Sequence, residues 1–450
     1  MSANGKGSML GKCAVVIGAG MGGMMAAGVL SRFFEQVRVL ERDALPTSPQ
    51  VRKYVPQGSH VHGLLVQGRR NLEKIFPGLT SDLIDGGAVV SRIGTELRHY
   101  DALGWHPKRN LGLQMVAMTR PFLEQAVRDH LRRLHNVQIE SGVKVNSWQL
   151  APAKPSLDVH VSTSHGDDTL AVDFLVDASG RAGATLNMLQ ASGFGPVEET
   201  TINIGQCYSS ALFRKPPGWD SALDACIIVS KPPNSEIALG FSVEDDCWMI
   251  TLGGRFSQRP PRDIDGFMAF LKGLPDPTLY NWAIQGDQIT PIKSFKTPKS
   301  NWRRYERLAE FPQYFLPLGD ALAHVNPVFG QGMTLASTHA ISLWEALQER
   351  ADTDGKLGEI AKPYFKKTQA FTEAVWRGLE PLEYSFPEVD GNRPADLEQR
   401  QKFGLGLRLL LETDPEVQQL RIRVQHLVDP PEVLQRSDIV ARVGAILEKR

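Results

Sequence analysis

Apolar positions along this chain keep two different periods, and the switch between them divides it. Residues 14–17 form an unbroken apolar run that reads as a buried strand, and residues 37–40 read as a second. The small and apolar residues between them predict a helix over 24–34. Residues 64–80 predict another, with Leu64, Leu65, Leu72 and Ile75 on its apolar side. Short strands are expected over 85–116. Thr119 is placed to cap a helix whose first turn holds Arg120 and Pro121, and Leu123, Val127, Leu131 and Leu134 follow at helical spacing. Strands at 137–139 and 143–145 are expected to return to the first unit. Residues 158–176 read as a hairpin that ends in a buried strand, 174–176.

From 200 to 300 the period drops to two. Runs at 204–213, 226–230, 237–243 and 248–253 alternate and are broken by Pro-Pro pairs, which predicts an antiparallel sheet interrupted by a helix over 263–274. That sheet carries Ile204, Leu212, Phe213, Ile228, Phe241, Trp248 and Ile250, of which alternation sends only some toward a pocket. Residues 314–318 form a further apolar strand. Met333, Leu335, Ala336, Ala340, Leu343 and Leu347 give a helix from about Gly332, and 356–450 reads as mostly helical, with breaks at Pro363, Pro381 and Pro430-Pro431.

Composition narrows the classes. A 42% apolar and 22% charged share over 450 residues suits a soluble protein of two or three packed domains. A formal net charge of +0 gives no reason to expect nucleic acid or an anionic membrane. Cys13, Cys207, Cys226 and Cys247 are scattered, which suits reduced thiols and a cytoplasmic location. No apolar run reaches about 18 residues, so no integral membrane segment is expected.

The chemistry concentrates where strands end. After the first strand come Gly18, Gly20 and Gly23, then the helix, then a second strand that ends in Glu41, 23 residues after the first glycine. Gly18 allows a tight turn, Gly20 admits a pyrophosphate against the backbone, and Gly23 lets the helix lie close to the strand. The helix N-terminus offers free N–H groups, and Glu41 stands where ribose hydroxyls would be met. This is a dinucleotide site, and the motif by itself does not choose between FAD and NAD(P). The long loop 43–63 gathers Arg52, Lys53, Gln57, His60 and His62 beside it, which favours function there. His60 and His62 have no adjoining Cys or acid cluster, so no metal is expected. Two more strands end in an acid and a glycine: Asp177-Ala178-Ser179-Gly180-Arg181, which taken alone is also compatible with a surface turn, and Gly319-Asp320, followed by Pro327 and the helix at Gly332.

Three such loops in this order resemble the flavoprotein monooxygenases built like p-hydroxybenzoate hydroxylase. The motifs are GAGMGG, DASGR and LGDALAHVNPVFGQGM. Finer stretches, VRVLERDALP, RKYVPQGSHVHGLL, FLVDASGRAG, WMITLGG and the segment from RLAEFPQYF to FGQGM, are similar to a subgroup that includes the flavin epoxidases of polyether-antibiotic pathways. The resemblance implies an α/β fold: a Rossmann-like FAD-binding domain of the glutathione-reductase type (10–199 and 300–350, including part of the substrate floor near 85–116), an inserted antiparallel-sheet substrate domain (200–299) and a helical C-terminal region (351–450).

It also implies roles. Gly18, Gly20 and Gly23 would hold the FAD pyrophosphate, Glu41 the adenosine ribose, and Val145 the adenine through its backbone. Arg42, Arg52, Arg120 and Asp177 count among the cofactor contacts. Asp320 would bond the ribitol chain, and the amides of Gly332 and Met333 would face the flavin pyrimidine edge. Arg52, Gln57 and Pro327 are expected near the isoalloxazine. Ala178 stands where aromatic hydroxylases usually have glycine, which leaves the reductant open between NAD(P)H and a separate flavin reductase. The implied activity is insertion of one oxygen atom of dioxygen into an apolar small molecule through an FAD C4a-hydroperoxide, with alkene epoxidation in specialised-metabolite biosynthesis favoured over aromatic hydroxylation. No protein acid or base stands out. A reductase of isoprenoid double bonds shares the architecture. A flavin halogenase would carry a Lys near the first glycine loop and a WxWxIP stretch, where this chain has Met24-Met25 and a solitary Trp248.

Overall fold

The computed structural model describes residues 9–150, 155–182, 184–353 and 355–449. Its centre is a parallel sheet ordered Phe315–Pro317, Phe174–Asp177, Gly11–Ile17, Phe34–Glu41, Val137–Ser141. Ala14, Val15, Val16, Phe174, Leu175 and Val176 have no exposed surface, which is why these strands read as unbroken apolar runs. Register fixes the site. Ile17 lies opposite both Leu40 and Asp177, and Asp177 lies opposite Pro317. The carboxyl ends of these strands are therefore flush, and the loops that follow them leave the sheet along one edge.

A second sheet runs Ala323–His324, Lys293–Arg303, Glu199–Arg214, Cys247–Arg255, Ile237–Val243, Ala225–Val229, Leu97–Asp101, Gly104–Trp105. Most neighbours are antiparallel, but Ala225–Val229 runs parallel to Leu97–Asp101. The strand Lys293–Arg303 crosses residue 300, where the substrate domain was expected to end. One face of this sheet is sealed by the helices Ile264–Gly273 and Thr278–Gln285, with Trp248, Ile250, Leu252, Phe267 and Trp282 in the shared core.

Several local expectations needed correction. The first helix is Met21–Leu30, not 24–34: Gly20 is its N-cap, and Phe34 already belongs to the next strand. Residues 64–80 are split into Val66–Ile75 and Leu79–Asp85, because Pro77 and the left-handed Gly78 (φ +85°) stop the first helix. The strand at 143–145 does return to the first unit, though beside its parallel sheet and not within it. Gly142 (φ +75°) turns the chain, and Lys144–Leu150 opens an antiparallel meander with Leu157–Thr163 and Gly166–Val172. The meander packs on the parallel sheet through Trp148, stacked 4.6 Å from Phe315. Pro363 and Pro381 do not break the helix Ala361–Glu383: the first lies in its opening turn, where no N–H is needed, and the second in its last. Thr119 does cap Arg120–Arg132, accepting from the Phe122 N–H at 3.3 Å. No helix among the described residues is long and apolar enough to cross a membrane.

Candidate functional site

A cavity of about 630 Å³ opens along the flush strand ends, with the second sheet as its far wall. The size suits a small-molecule or cofactor site. Its wall includes Gly18, Gly20, Glu41, Arg42, Arg52, Gln57, Arg120, Val145, Asp177, Asp320, Pro327, Gly332 and Met333. Of the cofactor-site residues expected from the sequence, Gly23 alone is absent from the wall. A Cβ on Gly23 would stand 1.8 Å from the Gly18 carbonyl oxygen, so this glycine serves helix packing. A Cβ on Gly20 would meet no atom within 4 Å. Gly18 holds φ +94°, which an L side chain rarely adopts.

Beyond the glycine loop lies a buried charge network. The Ala19 N–H donates to Glu41 Oε2 at 2.8 Å, and the Asp43 N–H to Oε1 at 3.0 Å. The Arg52 guanidinium donates to Glu41 Oε2 (3.1 Å), to Glu124 Oε2 (3.0 Å) and to the Ala19 carbonyl (3.1 Å). Arg120 reaches the other oxygen of Glu124 at 2.9 Å. Burial alone pushes the Glu124 carboxyl up and the Arg52 guanidinium down. The flanking guanidiniums hold the Glu124 carboxyl below its ordinary range, and the two carboxylates hold Arg52 charged. The Arg52 guanidinium is thus fixed beside the glycine loop and Glu41.

The other two loops are tied in differently. Asp177 accepts from the Ser179 N–H (2.8 Å) and from the Thr185 hydroxyl, so both its oxygens are engaged within its own loop. Asp320 Oδ2 lies 3.2 Å from His324 Nδ1, and His324 Nε2 lies 3.1 Å from Thr297 Oγ1, which also receives Arg181 at 3.3 Å. Burial pushes the Asp320 carboxyl up, but His324, Arg181 and Arg120 bring it below its usual value. The helix Gly332–Asp352 points its N-terminus at the same cavity. Pro327 opens a short 3-10 turn capped by Asn326, whose Oδ1 accepts from the Val328 N–H (3.1 Å) and the Tyr208 hydroxyl (3.2 Å).

The far wall is made by Tyr208, Leu239, Thr251 and Phe295, with His60 and His62 from the 43–63 loop. None of the seven apolar residues picked out on the sheet lies on this wall. Alternation separates some of them: Trp248 and Ile250 face the covering helices, while Leu212 and Phe241 share the face of Thr251 but pack in a core beyond the cavity. His324 and Tyr208 were missed as well. A period-two reading outward from Tyr208 marks its face, but nothing local says which face the helices leave open.

No protein-family profile matches the chain. Among solved structures it is similar to a flavoprotein/dehydrogenase from Cytophaga hutchinsonii (TM-score 0.68, 12% identity, 97% of this chain and 98% of that one). It is also similar to the flavin-dependent brominase Bmp2 (0.66, 13%, 98% of each) and to p-nitrophenol 4-monooxygenase PnpA from Pseudomonas putida DLL-E4 (0.64, 16%, 92% and 97%). At these identities the likeness is one of fold, and it agrees with the mixed α/β architecture expected from the sequence. Protein Rv3254 of Mycobacterium tuberculosis (strain ATCC 25618 / H37Rv) is 31% identical over 452 residues, covering 96% of this chain and 93% of that protein. Identity at that level along nearly the whole of both chains makes this protein a member of the same family as Rv3254.

Proposed function

We propose that this protein is an FAD-dependent monooxygenase that adds one oxygen atom of dioxygen to a mostly apolar organic molecule. The observation that carries the reading is a single cavity shared by the glycine loop, Asp320, the helix N-terminus at Gly332 and the aromatic face of the second sheet. The fit to FAD rests on Gly20, where a Cβ would project into open space that a pyrophosphate can fill. The bound FAD would supply the oxygen-activating chemistry, with NAD(P)H or a separate flavin reductase as electron source.

The chain's own residues bind, orient and exclude water. Glu41 keeps lone pairs for ribose hydroxyls beside the N–H groups it already accepts. Arg120 offers positive charge near the pyrophosphate, and Val145 lines the adenine side. Asp320 is available to the ribitol chain. The Gly332 and Met333 amides, at a helix N-terminus, favour negative charge on the reduced ring. Tyr208, Leu239, Phe295 and Pro327 wall the reacting end against water.

Alkene epoxidation, as in the polyether-pathway enzymes the motifs resemble, is the finer reading. It needs no base, whereas ring hydroxylation gains from one that deprotonates a phenol. Burial pushes His60 down to about 4, and burial with Arg120 nearby pushes His62 down to about 3, so both imidazoles are poor bases here. Burial also raises the Tyr208 phenol far above its usual value. The brominase likeness does not favour halogenation: Trp248 is packed between Trp219 and Trp282 in the helix-covered core.

Two measurements test the reading. The purified protein should release FAD on denaturation, and finding FMN or NAD alone would defeat it. With reductant and labelled dioxygen, an alkene substrate should gain a single labelled atom; a saturated, unlabelled product would favour a double-bond reductase. Asp320→Ala should leave the fold intact and weaken FAD retention by about 1.5–3 kcal/mol, the worth of one charge-assisted hydrogen bond. Unchanged affinity on titration would reject the ribitol role.

A further inference from the structure

We propose that His60 fixes the substrate in this cavity by hydrogen-bonding an oxygen function, a hydroxyl or a carbonyl, carried by an otherwise apolar molecule. The proposal rests on the monooxygenase reading of the cavity and names the substrate class for it.

The far wall is built to leave one polar atom free. His60 lines the cavity and is 5% exposed. Its Nδ1 lies 2.6 Å from the Ser210 hydroxyl, which lies 2.6 Å from the Thr251 hydroxyl, which accepts the Val61 N–H at 2.9 Å. The imidazole is thus clamped to two strands of the sheet through buried hydroxyls. Its Nε2 has no partner among the described residues. Buried polar atoms are otherwise nearly always paired, so an unpaired one on a residue of the cavity wall, with almost no surface of its own in the unliganded protein, marks where a ligand pressed against that wall supplies the partner. Tyr208 and Phe295 flank the ring at 5.9 and 5.8 Å, and the Tyr208 hydroxyl is occupied by Asn326. Aromatic surface holds an apolar body while His60 meets its oxygen.

The clamp allows both hydrogen-bond senses. If Thr251 donates to Ser210 and Ser210 to Nδ1, then Nε2 carries the proton and suits a carbonyl or hydroxyl oxygen. If Nδ1 donates to Ser210, Nε2 is bare and accepts from a hydroxyl. The exchange reverses the hydroxyl protons and shifts the ring proton from one nitrogen to the other, and it moves no heavy atom. Burial keeps the imidazole neutral at ordinary pH, so His60 positions the substrate without storing its proton.

The test uses the flavin-loaded protein and matched probes: geraniol and citral against myrcene, and farnesol against farnesene. Binding is followed by the perturbation of flavin absorbance. In at least one pair the oxygenated member should bind about tenfold tighter, the value of one well-made hydrogen bond. His60→Phe should abolish that difference by weakening only the oxygenated member. His60→Gln, which keeps a hydrogen-bonding amide, should retain part of it, and Ser210→Ala should reduce it with His60 in place. Equal affinities in every pair, or a difference that survives His60→Phe, overturns the role of His60 while leaving the flavin reading standing. A protein that takes up no flavin overturns both, and that failure is read separately, from the absorbance before any probe is added.

Discussion

A valine at Gly20 should give a folded protein with no bound flavin. The two requirements on this glycine are separable in the structure. An added Cβ at Gly20 meets nothing within 4 Å, so the protein itself has room for a side chain there. Gly20 is also in extended backbone (φ −74°, ψ 179°), which valine adopts without strain. The space a valine would fill is the cavity in front of the helix N-terminus, where a pyrophosphate would bond the free N–H groups. Loss of cofactor should therefore be complete while circular dichroism and the unliganded melting temperature stay near those of the wild-type apoprotein. Gly23→Ala is the contrast. Its Cβ would stand 1.8 Å from the Gly18 carbonyl oxygen and 3.3 Å from Val16 Cγ1, so it should fail by unfolding rather than by losing flavin alone. Normal flavin content in a folded Gly20→Val protein would place the cofactor elsewhere.

That contrast also shows what the sequence makes legible. A strand, a glycine spacing and a strand-terminal acid are local signals, and Gly18, Gly20, Glu41, Asp177 and Asp320 could be picked from neighbours within a few residues. Their convergence followed from one rule, that ligands of parallel sheets sit at the carboxyl ends; the register of Ile17, Asp177 and Pro317 meets it. The ion pairing of Arg52 was not legible because its partner Glu124 is 72 residues away, on a helix whose docking no local pattern announces. The cavity face of the second sheet was missed for a related reason. Alternation says that Ile250 and Thr251 face opposite ways, but the wet face is decided by the helices Ile264–Gly273 and Thr278–Gln285, which could have covered either side. Hydrophobicity picked residues on both faces, Trp248 and Ile250 on the covered one and Leu212 and Phe241 on the other, and the cavity took a part of that second face they do not reach.

Acidification from about pH 7.5 to about pH 5.5 should lower stability by on the order of several kcal/mol, well before the carboxylates contribute. The cause is a set of buried neutral imidazoles. Burial pushes His60 and His426 from 6.5 to about 4; burial with weaker help from neighbours pushes His62 and His99 to about 3, and burial alone, against Asp320, does the same to His339. The unfolded chain takes up these protons as pH falls through 6.5, and the folded chain does not until it reaches the lower values. Between those limits the unfolded state binds more protons, so stability falls as pH falls, by about 1.4 kcal/mol per imidazole for each pH unit. Five such groups act on a total that is only about 5–15 kcal/mol for typical proteins. Glu124 works in a different window. Its depressed carboxyl stabilises the fold above the ordinary carboxylate range, and that contribution is lost only as pH falls further, through the lowered value. Thermal midpoints measured in steps should therefore be flat above about pH 7 and drop steeply from about pH 6.5. His339 gives an internal control: it has no exposed surface, its Nε2 lies 3.1 Å from the Thr372 hydroxyl, and its Nδ1 has no partner among the described residues. His339→Asn should cost stability at about pH 7.5 yet make the acid slope shallower by one proton's worth, about 1.4 kcal/mol per pH unit. A midpoint that holds down to about pH 5.5 would mean that these imidazoles accept protons inside the folded protein, and with it the neutral state assigned to His60 would fall.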